Sequence, residues 1–185
     1  MNDLVGTLHE FARLFDRLGI PYAIMGGWAV RVYALPRPTY DVDFTILLAR
    51  DHLPALYAAA EDAGFTVPEQ YRGGWVDSIA GMPLVKFRLM LAGHGIDVDI
   101  FLAESDYQQE LMRRRVQHSV DGVPAWFVSA EDLILLKLIA NRTRDRADID
   151  DLLLARSELD ESYLRRWAGP LGVSVKLDEV LETRE

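Results

Sequence analysis

The sequence holds 185 residues, 50% hydrophobic and 26% charged, which suits one domain with a real core and excludes a disordered chain. A formal charge of −9 at pH 7 removes bulk electrostatics as a means of gripping nucleic acid, and any such contact would have to be local. With no cysteine, disulfides, thiolate metal sites and cysteine nucleophiles are excluded as well.

Met1-Asn2-Asp3 opens the chain without a basic, then apolar, leader pattern. No apolar run approaches the roughly 18 residues of a membrane span, so a soluble, cytoplasmic protein is expected. Leu4, Leu8, Phe11, Phe15 and Leu18 recur at helical spacing and predict a helix over 3–18, stopped by Gly19 and Pro21. Tyr22 to Met25 reads as a short buried strand. Gly26-Gly27 ends it, and a short helix is expected from Trp28 to Ala34. Residues 40–48 form a strand, after which Asp51 is the expected N-cap of an alanine-rich helix running to Gly64.

The following stretch is richer in strands. Phe65-Thr66-Val67 predicts a short one, Gly73-Gly74 a turn, and Leu84–Leu91 with Ile96–Leu102 a hairpin around Gly93-His94-Gly95. Ser105 should cap a helix carrying Arg113-Arg114-Arg115. Asp121-Gly122 turns between two β runs, Ser119-Val120 and Ala125–Val128. Ser129 and Asp132 suggest a capping box before a long helix through Ala140, and further helices are expected near 147–156, 161–168 and 176–183. The fold class is therefore α+β, a mixed sheet with flanking helices and a helical C-terminal portion. One domain is expected, with a core over 1–128 and the helical portion over 129–185.

The chemistry concentrates in Asp41-Val42-Asp43. Alternation sends both carboxylates to one strand face, about 7 Å apart, while Val42 and Phe44 face the other way. Aspartate is disfavoured in strands and the two charges repel, so a divalent cation would compensate. Mg²⁺ (or Mn²⁺) held by one or two carboxylates is what phosphoryl and nucleotidyl transfer require. For a single D-x-D, two aspartates aligned on a solvated face are the better explanation. The pattern returns, however, in Asp97-Val98-Asp99, and two such strands read as walls of one metal site. Asp99 is favoured over Asp97 as the third acid and as a general base, because it precedes Ile100-Phe101 as Asp43 precedes Phe44. Gly26-Gly27, between a strand and a helix, would let backbone amides approach a phosphate.

These residues resemble the nucleotidyltransferase superfamily of the DNA polymerase β type, whose signature is hG[G/S], a helix and loop, hDhDh and a later third carboxylate. Met25-Gly26-Gly27, Asp41-Val42-Asp43 and Asp99 match it in order and spacing. Gly26-Gly27-Trp28-Ala29 is similar to the small aminoglycoside and lincosamide enzymes. The segment from Lys137 through Arg142-Thr143-Arg144-Asp145 to Asp148 is more similar to the abortive-infection (AbiEii-type) and MenT-type toxin nucleotidyltransferases, with Lys86 in the place of their strand lysine. The resemblance covers about residues 20–155. It implies an NTP donor such as ATP, two Mg²⁺ ions on Asp41, Asp43 and Asp99, in-line attack at the α-phosphorus and release of pyrophosphate. Through the Lys137 to Asp148 segment it implies first tRNA or a protein as acceptor, for a toxin checked by a cognate antitoxin, with a small antibiotic as the alternative. A non-catalytic nucleotide-binding module is the remaining alternative.

Basic residues fit this picture in two ways each. Only three lysines occur, Lys86, Lys137 and Lys176. Lys86, with Arg88 on the same strand face, would reach a triphosphate or simply pair with an acid. Lys137, Asn141, Arg144 and Asp148 form one helix-side stripe if the helix continues, either functional or merely solvated. Arg37 is a further candidate phosphate contact. Arg113-Arg114-Arg115 with Arg142, Arg144 and Arg146 gives local positive charge, while Trp28, Tyr33, Trp75, Trp126 and Trp167 are expected in or near the core. His9, His52, His94 and His118 lack metal-ligand spacing, and no Walker A, Rossmann or G-x-S-x-G motif occurs.

Overall fold

Alternation along residues 41–46 decides the layering, since one face of that strand must meet a core and the other must not. A computed structural model describes residues 2–91, 94–156 and 158–182. Tyr22–Met25 (β1), Asp41–Ile46 (β2), Asp77–Ile79 (β3), Met82–Leu91 (β4), His94–Leu102 (β5), Val116–Val120 (β6) and Val123–Phe127 (β7) form one mixed sheet in the order β3-β4-β5-β2-β1-β7-β6. β2 runs parallel to β5 and β1 parallel to β7, while the other neighbours are antiparallel.

Val42, Phe44, Ile46, Val98, Ile100 and Leu102 project to one face and are fully buried there. Helices Asn2–Leu18 (α1) and Leu53–Asp62 (α3) pack against each other, and α1 also meets β2. Phe11 is the hub of this layer, its ring centroid 5.7 Å from Phe15, 5.8 Å from Phe44, 4.4 Å from Phe65 and 5.4 Å from Phe87. Residues from α1, β2 and β4 thus meet around one ring.

The helices Gly26–Tyr33 (α2), Ala130–Ala140 (α6), Thr143–Ala155 (α7), Glu161–Ala168 (α8) and Ser174–Glu182 (α9) contact one another in a chain: α2 touches α6 and α7, α6 touches α8, and α8 touches α9. Local chemistry fixes several ends. Ser105 and Gln108 form a reciprocal capping box at Asp106–Arg113 (α5), and Asp121 with Gly122, φ 49° and 83°, makes the tight β6–β7 turn. Asn141 closes α6 in a left-handed conformation, φ 51°. Glu69–Arg72 is the remaining short helix, α4.

Several expectations are corrected. Asp51 lies in a short 3-10 turn, Arg50–His52, and does not cap α3. Residues 65–67 form no strand, because only Thr66 bridges to Arg88. The hairpin of β4 and β5 forms, but β5 begins at His94, and His94 and Gly95 pair with Leu91 and Met90 rather than lying in the turn, while Gly93 is outside the described residues. Asp132 does not complete a capping box. Its carboxylate, fully buried, accepts from Ser129 Oγ at 2.7 Å and from Tyr163 Oη at 2.6 Å. α7 starts at Thr143 rather than near 147, since Asp145 reaches back to the Arg142 backbone N–H at 3.0 Å. Trp75 is 59% exposed, unlike the other tryptophans.

The rings about Phe11 make a quantitative expectation. Phe11→Ala should cost about 3–5 kcal/mol through lost burial and a cavity, read as a lower urea midpoint at constant m-value. A cost below about 1 kcal/mol would mean that α1 re-seats itself on the sheet.

Candidate active site

Parallel pairing of β2 with β5 sets Asp41 beside Asp97 and Asp43 beside Asp99, and antiparallel pairing of β5 with β4 continues these rows to Arg88 and Lys86. Paired residues share a sheet face, so all six side chains lie on the side opposite the phenylalanine layer. The outer row is a rim: Arg88 Nε donates to Asp97 at 2.6 Å, with both side chains about half exposed (56% and 52%). That hydrogen bond holds the Asp97 carboxyl below the usual range, against a smaller effect of burial. In the inner row, Lys86 Nζ donates to both oxygens of Asp99, at 3.1 and 3.0 Å.

The two glycines make room on this face, Gly26 for Asp43 and Gly27 for the Thr39 side chain. Gly26 has φ +62°, and a Cβ there would sit 1.9 Å from Asp43 Oδ2. Conformation and clearance both demand glycine. A Cβ on Gly27 would sit 2.5 Å from Thr39 Oγ1, and that hydroxyl donates to Asp41 Oδ1 at 2.9 Å. Gly26 therefore stands against Asp43 and Gly27 against Thr39, at the start of α2, whose N-cap Met25 supplies no side-chain cap.

Adjacent strands lie about 4.8 Å apart, so two full carboxylate charges there repel by about 3 kcal/mol at an effective dielectric near 20. Asp43 bears the result. Burial, then Asp41 and Asp99, push its carboxyl from the ordinary 3.8 to about 7, although Arg142 and Arg144 pull the other way. Asp99 is raised too, by burial first, with Lys86 opposing. Lys86 is itself raised. Burial disfavours its charge, but the hydrogen bond and charge of Asp99 outweigh that.

A cleft of about 370 Å³ opens on this face, lined at its polar end by Gly26, Asp43, Lys137 and Arg142. Its remaining wall is apolar and includes Met82, Phe101, Leu133 and Leu136, with Ile79 and Ala80 from the β3–β4 turn. Ala80 adopts φ 52° there.

The stripe from Lys137 to Asp148 does not form along one helix, because Asn141 ends α6. The residues meet across α6 and α7 instead. Lys137 is 3% exposed, its Nζ 3.2 Å from Asp145 Oδ1 and 2.5 Å from Asp148 Oδ2. Arg37 clamps Asp148 from the loop before β2, at 2.6 and 2.8 Å, and Arg142 Nε reaches Asp145 at 2.9 Å. Burial would raise both carboxyls, but these cations hold them below the usual range. Lys137, although it lines the cleft, and Arg37 are thus held in ion pairs, and Arg144 acts on Asp43 through its charge. Of the arginine run, Arg113 pairs with Glu110 and Arg114 with Glu131, while Arg115 stacks over Trp126.

Asp41, Asp43 and Asp99 offer hard oxygen donors of the kind Mg²⁺ takes, and the raised Asp43 carboxyl marks where positive charge is wanted. The donor chemistry fits a divalent cation. Among the described residues no three acidic or histidine side chains are already gathered around one point, since Asp99 is held by Lys86 and Asp41 by Thr39. Thr39 went unnoticed in the sequence, though it lies two residues before Asp41 on the same alternation.

Two outcomes follow from these fields. A carboxyl raised on folding is better tolerated protonated, so its contribution to stability is lost as pH rises from about 4 through 7. In EDTA, Asp43→Asn should raise the melting temperature at about pH 8, by the equivalent of roughly 2–4 kcal/mol, and leave it unchanged near pH 4. Equal effects at both pH values would contradict the assignment. Asp148→Asn should cost about 3–5 kcal/mol in denaturant unfolding, because it strips the buried Lys137 ammonium of its nearer partner.

Neither a protein-family model nor a curated protein matches the sequence. Solved structures do match. A nucleotidyltransferase-like antigenic protein from Paracoccidioides brasiliensis aligns at 20% identity and TM-score 0.56, over 97% of this chain and 93% of that one. ANT(2'')-Ia, solved with adenylyl-2''-tobramycin, aligns at 18% identity and TM-score 0.58, over 90% and 95%. The lincosamide antibiotic adenylyltransferase LnuA, bound to lincomycin, aligns at 17% identity and TM-score 0.51, over 78% and 93%. At such identities the likeness is one of architecture: the chain has the fold of the nucleotidyltransferases.

Proposed function

We propose that the protein is a divalent-metal-dependent nucleotidyltransferase that moves an NMP from an NTP, ATP foremost, to a hydroxyl of a small molecule. The observation that carries this reading is the in-register pairing of Asp43 with Asp99, with Asp43 lining a cleft and given clearance by Gly26. Asp41 and Asp43 would hold Mg²⁺ or Mn²⁺, with Asp99 completing the site. A cation bound there neutralises phosphate charge and makes the α-phosphorus a better electrophile.

The protein's own groups do the rest. Asp99 would accept the proton of the acceptor hydroxyl. The acceptor oxygen bonds to the α-phosphorus as the bridging α–β P–O bond breaks, and pyrophosphate leaves. Lys86 holds Asp99 in place through two hydrogen bonds. The start of α2 offers backbone N–H groups to phosphate oxygens, and Arg142 and Arg144 add positive potential near Asp43.

A small acceptor is favoured over tRNA or a protein for two reasons. Lys137, Arg37 and Arg142, the cations of the toxin-like segment and its neighbour, are engaged in ion pairs. A net charge of −9 attracts a cationic small molecule and repels RNA. ANT(2'')-Ia, of similar fold, was solved with an adenylylated aminoglycoside.

The test is incubation with labelled NTPs, Mg²⁺ and a panel of aminoglycosides and lincosamides, with total tRNA as a second arm. Asp99→Asn should lower kcat by roughly 10²–10⁴ with little change in the KM for NTP. Unchanged turnover would remove Asp99 from the chemistry. Label in tRNA, with growth arrest on expression, would instead support a toxin held by an antitoxin.

A further inference from the structure

Gly27 has no conformational reason to be glycine. Unlike Gly26 it is not in the left-handed region, and it sits in the first turn of α2, where alanine would favour the helix. What excludes a side chain is Thr39, whose Oγ1 and Cβ would lie 2.5 and 2.8 Å from the added carbon. Thr39 is 9% exposed, and its hydroxyl is spent on Asp41 Oδ1 at 2.9 Å. A β-branched residue wedged in this way has few χ1 choices. Two residues earlier, the bidentate pair of Arg37 with Asp148 pins the same loop to α7.

We propose that Thr39 is a positioning residue for Asp41, and that Gly27 serves it by leaving its hydroxyl room, so that the two glycines act separately: Gly26 for Asp43, Gly27 for Asp41. The inference rests on the reading of Asp41 as a metal ligand. Asp41 faces the repulsion of Asp43 along its own strand, which would swing its carboxylate outward before a cation arrives. The Thr39 hydroxyl holds one oxygen in place, so the ligand is oriented in advance and the cation need not order it. The backbone of α2 remains available to phosphate, but the missing side chain at 27 answers to the threonine.

The experiment is Mn²⁺ binding, followed by electron paramagnetic resonance without nucleotide, on the full chain and on variants whose folding is checked by thermal melting. Thr39→Val keeps the shape and removes the donor, and should weaken Mn²⁺ about 10–100-fold. Thr39→Ser restores the donor and should recover most of that loss, which a merely structural role would not do. Gly27→Ala should weaken Mn²⁺ as Thr39→Val does, and the double variant should lose no more than either alone. Wild-type affinity in Thr39→Val, alongside loss in Asp41→Asn, would overturn the proposal and leave the metal site standing. So would a Gly27→Ala protein that keeps Mn²⁺ affinity and loses only nucleotide binding. If the wild type itself took up no Mn²⁺, the site reading and this inference would fall together.

Discussion

Parallel, in-register pairing of two acidic strands is the constraint around which the rest of the molecule is arranged. A shift of one residue between β2 and β5 would turn every carboxylate of one strand into the phenylalanine layer, so the apolar face fixes the register and the register forces the acids together. The fold thereby accepts repulsion at Asp43 that no local interaction removes. Lys86 shares its charge with Asp99, Thr39 takes one oxygen of Asp41, and Arg142 and Arg144 supply a distant counter-field. None of these donates to Asp43, among the described residues, and its carboxyl stays raised. A site left electrostatically unsatisfied in this manner is a site prepared for charge from outside.

Around that row the cations divide into two groups. Lys137, Arg37 and Arg142 are fastened to Asp145 and Asp148, and through them the loop before β2, α6 and α7 are tied to one another. Removing any one strips a buried carboxylate of one of its two cations, so this cluster defines the geometry of the cleft more than it adds to stability. Arg144 remains exposed at the first turn of α7 and is felt by Asp43 only through space. Basic side chains aligned in sequence thus serve scaffold and field, and the cleft itself keeps a largely apolar wall.

Much of this was legible in the sequence because it is periodic. Alternation in Asp41-Val42-Asp43-Phe44 and Asp97-Val98-Asp99-Ile100 gave both the strands and their faces, and Gly26-Gly27 gave the turn beside them. Thr39 obeyed the same alternation and could have been included. Pairing between β2 and β5 was not legible, since it joins segments more than fifty residues apart through a shared core. The Lys137 to Asp148 stripe failed for a local reason, the left-handed Asn141, yet its two ends still met through tertiary packing. The cap on α7 escaped notice because an arginine is not a capping residue, and its aspartate does the work from three positions on. Clearance at Gly27 needs coordinates, because helical φ gives no hint that a side chain is forbidden.

If the acidic row receives a divalent cation, as proposed, Asp43 reports it directly. A ¹³C-carboxyl NMR titration of the full chain, with and without Mg²⁺ and with the Asp43 resonance assigned by its loss in Asp43→Asn, follows that group. A midpoint of about 7 is expected in the metal-free protein, falling below about 4 once Mg²⁺ is saturating. A metal-free midpoint already near 4, or one that stays put when Mg²⁺ is added, would contradict the proposal.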